Sequence, residues 1–352
     1  LDKKVHKTKV AISISLMLAL LGCGGGGGTS SPPVASNPTT PAVPTTPVST
    51  VQTASLQAAA PSTYTAGSTA DIAFKKLNAF RAVQNLGPVN QNANADIAAK
   101  NHQFYVYTNQ SGANGHVEVA GNPGFTGVDV KARLTAAGYP ATIAGEVIAF
   151  SLEQGNPNAT AVDNLINTVY HRASMMYQGF TVVGSAGDDD TNPLYIDFGA
   201  TEAQVNAGDY VGVYPANGQT GVFLTHSMEA PNPFYQELEM TQANMCTKTS
   251  APVSVASEAS TVLSVTTFTL TEAGQTAPLD VRLITSATSP QDTTYLGQNV
   301  AFVVGKAPFK PNTTYNVRFV GKATGTATGA TNGLTIDKSW SFTTGSYKRG
   351  CP

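Results

Sequence analysis

His116, Glu146 and His171 are the residues of this chain whose types are best suited to chemistry. Two imidazoles and a carboxylate that meet in space can hold a zinc ion. They can also act as an acid–base pair with an orienting carboxylate. His116 follows Gly115 in a Gly/Asn-rich loop and so is free of helical constraints. His171 lies two residues beyond Val169, about 200° around a helix at roughly 100° per residue. It should point away from the apolar stripe that Val169 belongs to, unless the helix has already ended. Neither an H-E-x-x-H element nor clustered cysteines are present, so spacing alone does not specify a metal. The competing reading is a polar hydrogen-bond network that staples loop to helix. His102, one helical turn from Ala98 and near Tyr105, reads as a packed structural histidine. Asp188-Asp189-Asp190 lacks the EF-hand pattern and reads as a solvated turn. No G-x-S-x-G element appears, and Ser174 stands close to His171 without a triad order.

The elements that must position these residues fall into two textures. Ser68-Thr69-Ala70-Asp71 has capping-box spacing and opens a helical pattern through Phe74, Leu77 and Phe80 to Gly87. A second helix is expected from about Asn94 through Ile97, Ala98, Phe104 and Tyr105. Val162, Leu165, Ile166 and Val169 fall at i, i+3, i+4 and i+7 and predict a third. Between the second and third lie a Gly-rich loop over 111–128 and a short helix over 131–137, ended by Gly138. Residues 180–183 and 194–198 read as strands joined by a turn over 187–193. The first region is therefore expected to be an α+β sandwich. From Val211 onward the pattern has period two, as at Leu279, Val281 and Leu283, then Val300, Phe302 and Val304, then Tyr315, Val317 and Phe319. Trp340 with Phe342 closes it, and turn-rich gaps between these runs predict a β-sandwich.

In order along the chain stand Asn85-Leu86-Gly87-Pro88-Val89, Ala98-Ala99-Lys100-Asn101-His102-Gln103-Phe104-Tyr105, His116-Val117-Glu118 and Gly124-Phe125-Thr126-Gly127. Ala137-Gly138-Tyr139, Gly145-Glu146-Val147 and Tyr170-His171-Arg172 follow. Together they resemble the bacterial branch of the CAP superfamily, named for cysteine-rich secretory proteins, antigen 5 and pathogenesis-related proteins, over roughly 66–210. The resemblance implies an α-β-α sandwich with a cleft lined by His116, Glu146 and His171, able to hold Zn²⁺ or another divalent metal through the histidines. The second acid of eukaryotic members is absent from 159–170, where Asp163 is the only acid, and Glu118 is the candidate substitute. Further on, Phe309-Lys310-Pro311-Asn312-Thr313-Thr314-Tyr315 and Trp340-Ser341-Phe342-Thr343-Thr344-Gly345 resemble bacterial Ig-like domains. Tyr214-Pro215-Ala216-Asn217-Gly218 and Glu229-Ala230-Pro231-Asn232-Pro233 look like the opening of such a domain. The expected fold class is thus α+β, a CAP-type sandwich over 66–210 followed by an all-β Ig-like sandwich over 211–352. The boundary near 210 should separate two independently folding units, and Trp340 should be core.

The N-terminal part carries a different message. Lys3, Lys4, Lys7 and Lys9 precede a mostly apolar run to Leu21, the form of a secretory signal over 1–22. Leu20-Leu21-Gly22-Cys23 forms a lipobox, so Cys23 is the expected lipidation site. Residues 23–65, rich in Gly, Pro and Thr, are expected to be a disordered tether. Gly at 24 favours the outer membrane where an Asp there would mean retention. Removing 1–22 takes away four lysines and one aspartate and moves the formal charge from −2 to −5. A mildly acidic chain with no basic clusters argues against a nucleic-acid partner. Cys246 and Cys351 then remain as an even pair in an oxidising compartment, where a bridge would contribute roughly 4 kcal/mol; two free thiols are the alternative.

The leading functional expectation is a lipid-anchored envelope protein, exposed outside the cytoplasm, that binds a small ligand, lipid or peptide in the His/Glu-lined cleft. The alternatives are a metal-assisted hydrolase or protease using His116 and His171, and a structural or adhesive protein whose cleft is vestigial.

Overall fold

The computed structural model describes residues 52–110, 115–149, 161–187, 193–241, 244–325 and 333–346. Cys23, Asp188-Asp189-Asp190 and Cys351 lie outside the described residues.

In chain order the first half comprises β1 (Gln52–Thr53), α1 (Thr69–Ala82), β2 (Asn90–Gln91), α2 (Ala93–Asn109), α3 (Val130–Ala136), β3 (Ile143–Ala149), α4 (Ala161–Ile166), α5 (Tyr170–Met175), β4 (Val182–Ala186), β5 (Leu194–Ala200) and β6 (Gln204–Val205). The helices start where short polar side chains can satisfy the first free N–H groups. Ser68 accepts from Asp71 N, Asn92 from Asn94 N and Ala95 N, and Asp129 from Ala132 N.

The expected third helix is two helices. α4 ends at Ile166, and α5 begins afresh at Tyr170. The side chain of Asn167 turns away to donate to the carbonyl of Thr225, 2.5 Å off. The expected tether is also shorter than its composition suggests. β1 pairs in parallel with β6, Thr63 N donates to Gln91 Oε1 at 2.6 Å, and the Tyr64 ring packs edge-on against Phe74. Residues 52–65 are therefore laid along the fold by backbone pairing and one aromatic anchor.

Strands β2-β4-β5-β3 form one sheet, antiparallel except at β2–β4. Successive side chains alternate between its faces. Val147, Val183, Leu194, Ile196 and Phe198 join a core with α1, α4 and α5. Ile148, Ala186 and Tyr195 on the opposite face meet Ala99, Tyr105 and Val106 of α2. Gly184 is required for that approach, because a Cβ there would sit 2.0 Å from the backbone carbon of Ala95. The result is a helix–sheet–helix arrangement.

The second half comprises β7 (Val211–Tyr214), β8 (Gln219–Val222), α6 (Met245–Lys248), β9 (Val253–Ser257), β10 (Thr261–Glu272), β11 (Val281–Thr285), α7 (Pro290–Tyr295), β12 (Val300–Gly305), β13 (Thr314–Gly325) and β14 (Leu334–Thr344). It is not purely β, since α6 and α7 interrupt the strands. Two four-stranded sheets, β11-β12-β9-β7 and β10-β13-β14-β8, enclose a core that includes Val253, Val303, Phe319 and Phe342. Trp340 is buried in it and donates Nε1–H to the carbonyl of Pro215 at 3.0 Å. No helix among the described residues is long and apolar enough to cross a membrane.

The change of texture at 210 is where the elements change, yet the packing continues across it. Every residue of β12 is buried. Ala301 and Val303 face the sandwich core, whereas Val300, Phe302 and Val304 join the core of α1, α4 and α5. Arg172 of α5, itself buried, donates to the carbonyl of Pro252 at 2.7 Å and lies 4.8 Å over the Tyr214 ring. A fragment of 66–210 would expose this apolar face and strand Arg172. We predict that it melts without a cooperative transition by circular dichroism, whereas the chain including 211–346 melts cooperatively. A sharp transition in the fragment would show that the shared core is dispensable.

Candidate functional site

The site grows from the inner face of the first sheet. β3 carries Glu146 on the face covered by α2 and α3, where a carboxylate must find donors. It finds two. His116 Nδ1 donates to Oε1 at 2.7 Å, and Arg133 Nη2 donates to Oε2 at 2.8 Å. The His116 side chain is 45% exposed while that of Glu146 is only 3% exposed, so an accessible imidazole stands on a buried anion. Burial by itself would raise the Glu146 carboxyl. The hydrogen bond from His116 and the charges of Arg133 and His102 outweigh it and hold the group below the ordinary range.

The loop after α2 is shaped by the same network. Glu118 turns inward, accepting from Thr126 N at 2.6 Å, Gly127 N at 3.1 Å and His102 Nδ1 at 2.9 Å. Gly127 must be glycine because a Cβ would lie 2.7 Å from Ala132 and Arg133 backbone atoms at the start of α3. Arg133 Nη1 donates to the carbonyl of His116 at 3.1 Å, so α3 fixes both the loop and the carboxylate. His102 is buried as expected, with Nε2 against the carbonyl of Gly115. Both of its ring nitrogens thus face oxygen atoms, one of Glu118 and one of Gly115.

The expected cleft residues therefore divide. His116 and Glu146 are brought together. Glu118, the expected substitute acid, is a buried clamp that holds the loop rather than a group lining a cleft. His171 belongs to a second cluster on the other side of the sheet. Its Nδ1 meets Glu229 Oε1 at 2.8 Å, and the Glu229 carboxylate also accepts from Val169 N at 3.0 Å and His171 N at 2.8 Å. Glu229 thereby caps α5, whose own N-cap residue Val169 offers no side-chain hydrogen bond. His226 lies beside it, Nε2 to Oε2 3.7 Å, with Nδ1–H directed at the Ser227 carbonyl.

The donor set does not fit the expected metal ion. His116 and His171 are held by different carboxylates, and a guanidinium occupies the second oxygen of Glu146. Among the described residues no group of three or more His, Cys, Asp or Glu side chains is arranged to hold an ion.

Sequence reasoning missed Arg133, Asp197, His226 and Glu229. An aspartate inside the otherwise apolar strand β5 was the available signal for Asp197, and the i, i+3 pair His226 and Glu229 was the signal for the second cluster.

Glu229→Ala should cost about 3–5 kcal/mol in urea unfolding, because it uncaps α5 and leaves buried polar groups unpaired. Burial lowers His226 to about 4, below its ordinary 6.5, so its contribution is complete above pH 6.5 and is lost as pH falls toward 4. Glu229 sits at about 2 despite its burial, because of the His171 hydrogen bond and the histidine charges. Its contribution holds above the unfolded carboxylate value and is lost as pH falls toward 2. Stability should thus decline below pH 6.5, and His226→Gln should remove the upper part of that decline. An unchanged profile in His226→Gln would contradict this assignment.

No protein-family model matches the chain. No curated protein matches it. Among solved structures, it is similar to a crystal structure of an extracellular protein containing a SCP domain from Bacillus anthracis str. Ames, with 20% sequence identity and a TM-score of 0.31. The similarity covers 38% of this chain and 40% of that one, so this chain spans less than half of the length of the protein it resembles.

Proposed function

We propose that the chain is a CAP-type binding module of the bacterial cell envelope, and that His116, oriented by Glu146, is the group that meets its ligand. One observation carries this reading. An imidazole with 45% of its side chain exposed is tied at Nδ1 to a carboxylate that is 3% exposed. An exposed histidine ordinarily samples several rotamers. This one is held by a charge-assisted hydrogen bond, so it presents Nε2 in one direction and little ordering is left for binding to impose. The ordered run of motifs from Asn85 to Arg172 supports the family assignment.

Binding is favoured over hydrolysis. Among the described residues, the only side chain hydrogen-bonded to His116 is Glu146, and none of them couples a hydroxyl or thiol nucleophile to it. A metal-assisted hydrolase would need His116 and His171 on a common ion, and each has its own carboxylate instead. The second half, read as Ig-like, serves spacing or adhesion. The envelope location rests on the lysine-rich start, the lipobox at Cys23 and the uncharged segment that follows it. The pairing of Cys246 with Cys351 belongs to the same reading, since Cys246 is buried on α6 in an exported chain.

Native mass spectrometry of the protein purified from its own host tests the binding reading. The expected result is a defined small molecule on the wild type that His116→Ala does not retain, with the far-ultraviolet circular dichroism spectrum unchanged. Finding no bound species on either protein would favour the structural alternative. Peptide mapping without reduction should recover an acylated Cys23 at the mature N-terminus and a linked Cys246–Cys351 peptide pair. An N-terminus elsewhere, or two alkylatable thiols, would end the envelope reading in its present form.

A further inference from the structure

The register of the first sheet sets Asp197 of β5 directly opposite Glu146 of β3, and opposite Gly184 of β4. All three therefore belong to the face beneath α2. Asp197 is fully buried, and no donor among the described residues reaches either of its carboxyl oxygens. The donors nearby are turned elsewhere. Arg133 gives Nη2 to Glu146 and Nη1 to the carbonyl of His116, its unpartnered Nε lies 4.0 Å from Glu118, and the His102 ring nitrogens face Glu118 and the carbonyl of Gly115. A buried carboxylate with no donor is costly, whereas a carboxylic acid brings its own.

The charges point the same way. The groups facing the pair are Arg133 from α3, His102 from α2, Glu118 and His116 from the loop, and Tyr195 from β5 itself. Glu118 and Glu146 already stand as two buried carboxyls beside one guanidinium, that of Arg133. An ionised Asp197 would add a third buried anion there.

We propose that Glu146 and Asp197 share one proton, with Asp197 the acid and Glu146 the carboxylate, so that Asp197 supports the carboxylate that orients His116. The inference rests on the binding reading of His116 and adds Asp197 to the groups that position it. Burial pushes the Asp197 carboxyl well above the usual range, and the charge of Glu146 and the hydrogen bond to it push further, against Arg133. Two carboxyls at close quarters do not both ionise, and their environments decide which one keeps the proton. Asp197 is thus a positioning residue. With the proton on Asp197, Glu146 remains the carboxylate that accepts from His116 Nδ1 and Arg133 Nη2.

Infrared spectroscopy of the full chain near pH 7 tests the shared proton without any ligand. The expected result is a carbonyl stretch of a protonated carboxylic acid that disappears in Asp197→Asn and persists in Asp280→Asn, a substitution at an exposed residue. Absence of that band from the wild type, or its survival in Asp197→Asn, would overturn the proposal. Selective ¹³C labelling of the wild-type carboxyl groups gives a second readout, needed if Asp197→Asn fails to fold. The acid band should shift with labelled aspartate and not with labelled glutamate, and the reverse would overturn it. Because neither measurement involves a ligand, failure of the binding reading and failure of this proposal are separable.

Discussion

A carboxylate on the inner face of a β-sheet sets the terms for everything around Glu146. Its charge is retained because an arginine from α3 and an imidazole from the preceding loop both donate to it. Neither donor could reach it without further support. Arg133 also holds the loop by the His116 carbonyl, and the loop in turn is shaped by Glu118, which takes two backbone N–H groups and meets the His102 ring. The network is a closed set of buried cations and anions. Such sets are strongly destabilised by losing one member, even where the intact set adds little net stability. What they add is geometry, and here the geometry is a fixed, outward imidazole.

The other face of the sheet solves a different problem. α4 and α5 are too short to be stable alone, and most helical stability comes from packing. Their apolar sides are covered by β12, and the free N–H groups of α5 are taken by Glu229 from beyond residue 210. The two halves thus share one core and one helix cap. His171, on the first turn of α5, is committed to that junction and works as a structural residue there.

The parts legible in the sequence were those whose cause is local. Capping at Ser68, the apolar stripe of α1, the two strands over 182–186 and 194–200 and the period-two run of β13 all follow from neighbours a few residues apart. Order along the chain also brought His116 to Glu146. What could not be read depends on distant partners. The stripe from Val162 to Val169 satisfied helical periodicity, but Asn167 and Glu229 break and recap it from across the fold. Residues 52–65 have a composition that suits disorder, yet pairing with β6 and the Tyr64 anchor orders them. Asp197 was in view inside an apolar strand. Its significance required the β3–β5 register, which no local pattern encodes.

If His116 acts on its ligand because Glu146 holds it, the two residues must be energetically one unit. A double-mutant cycle in calorimetry measures this directly, using the small molecule recovered with the wild-type protein and the variants His116→Ala, Glu146→Gln and the pair. The predicted result is that the double variant binds no more weakly than His116→Ala alone, a coupling as large as the Glu146→Gln loss itself. Losses that simply add would mean that Glu146 and His116 act on the ligand independently, and that the buried carboxylate does not orient the site.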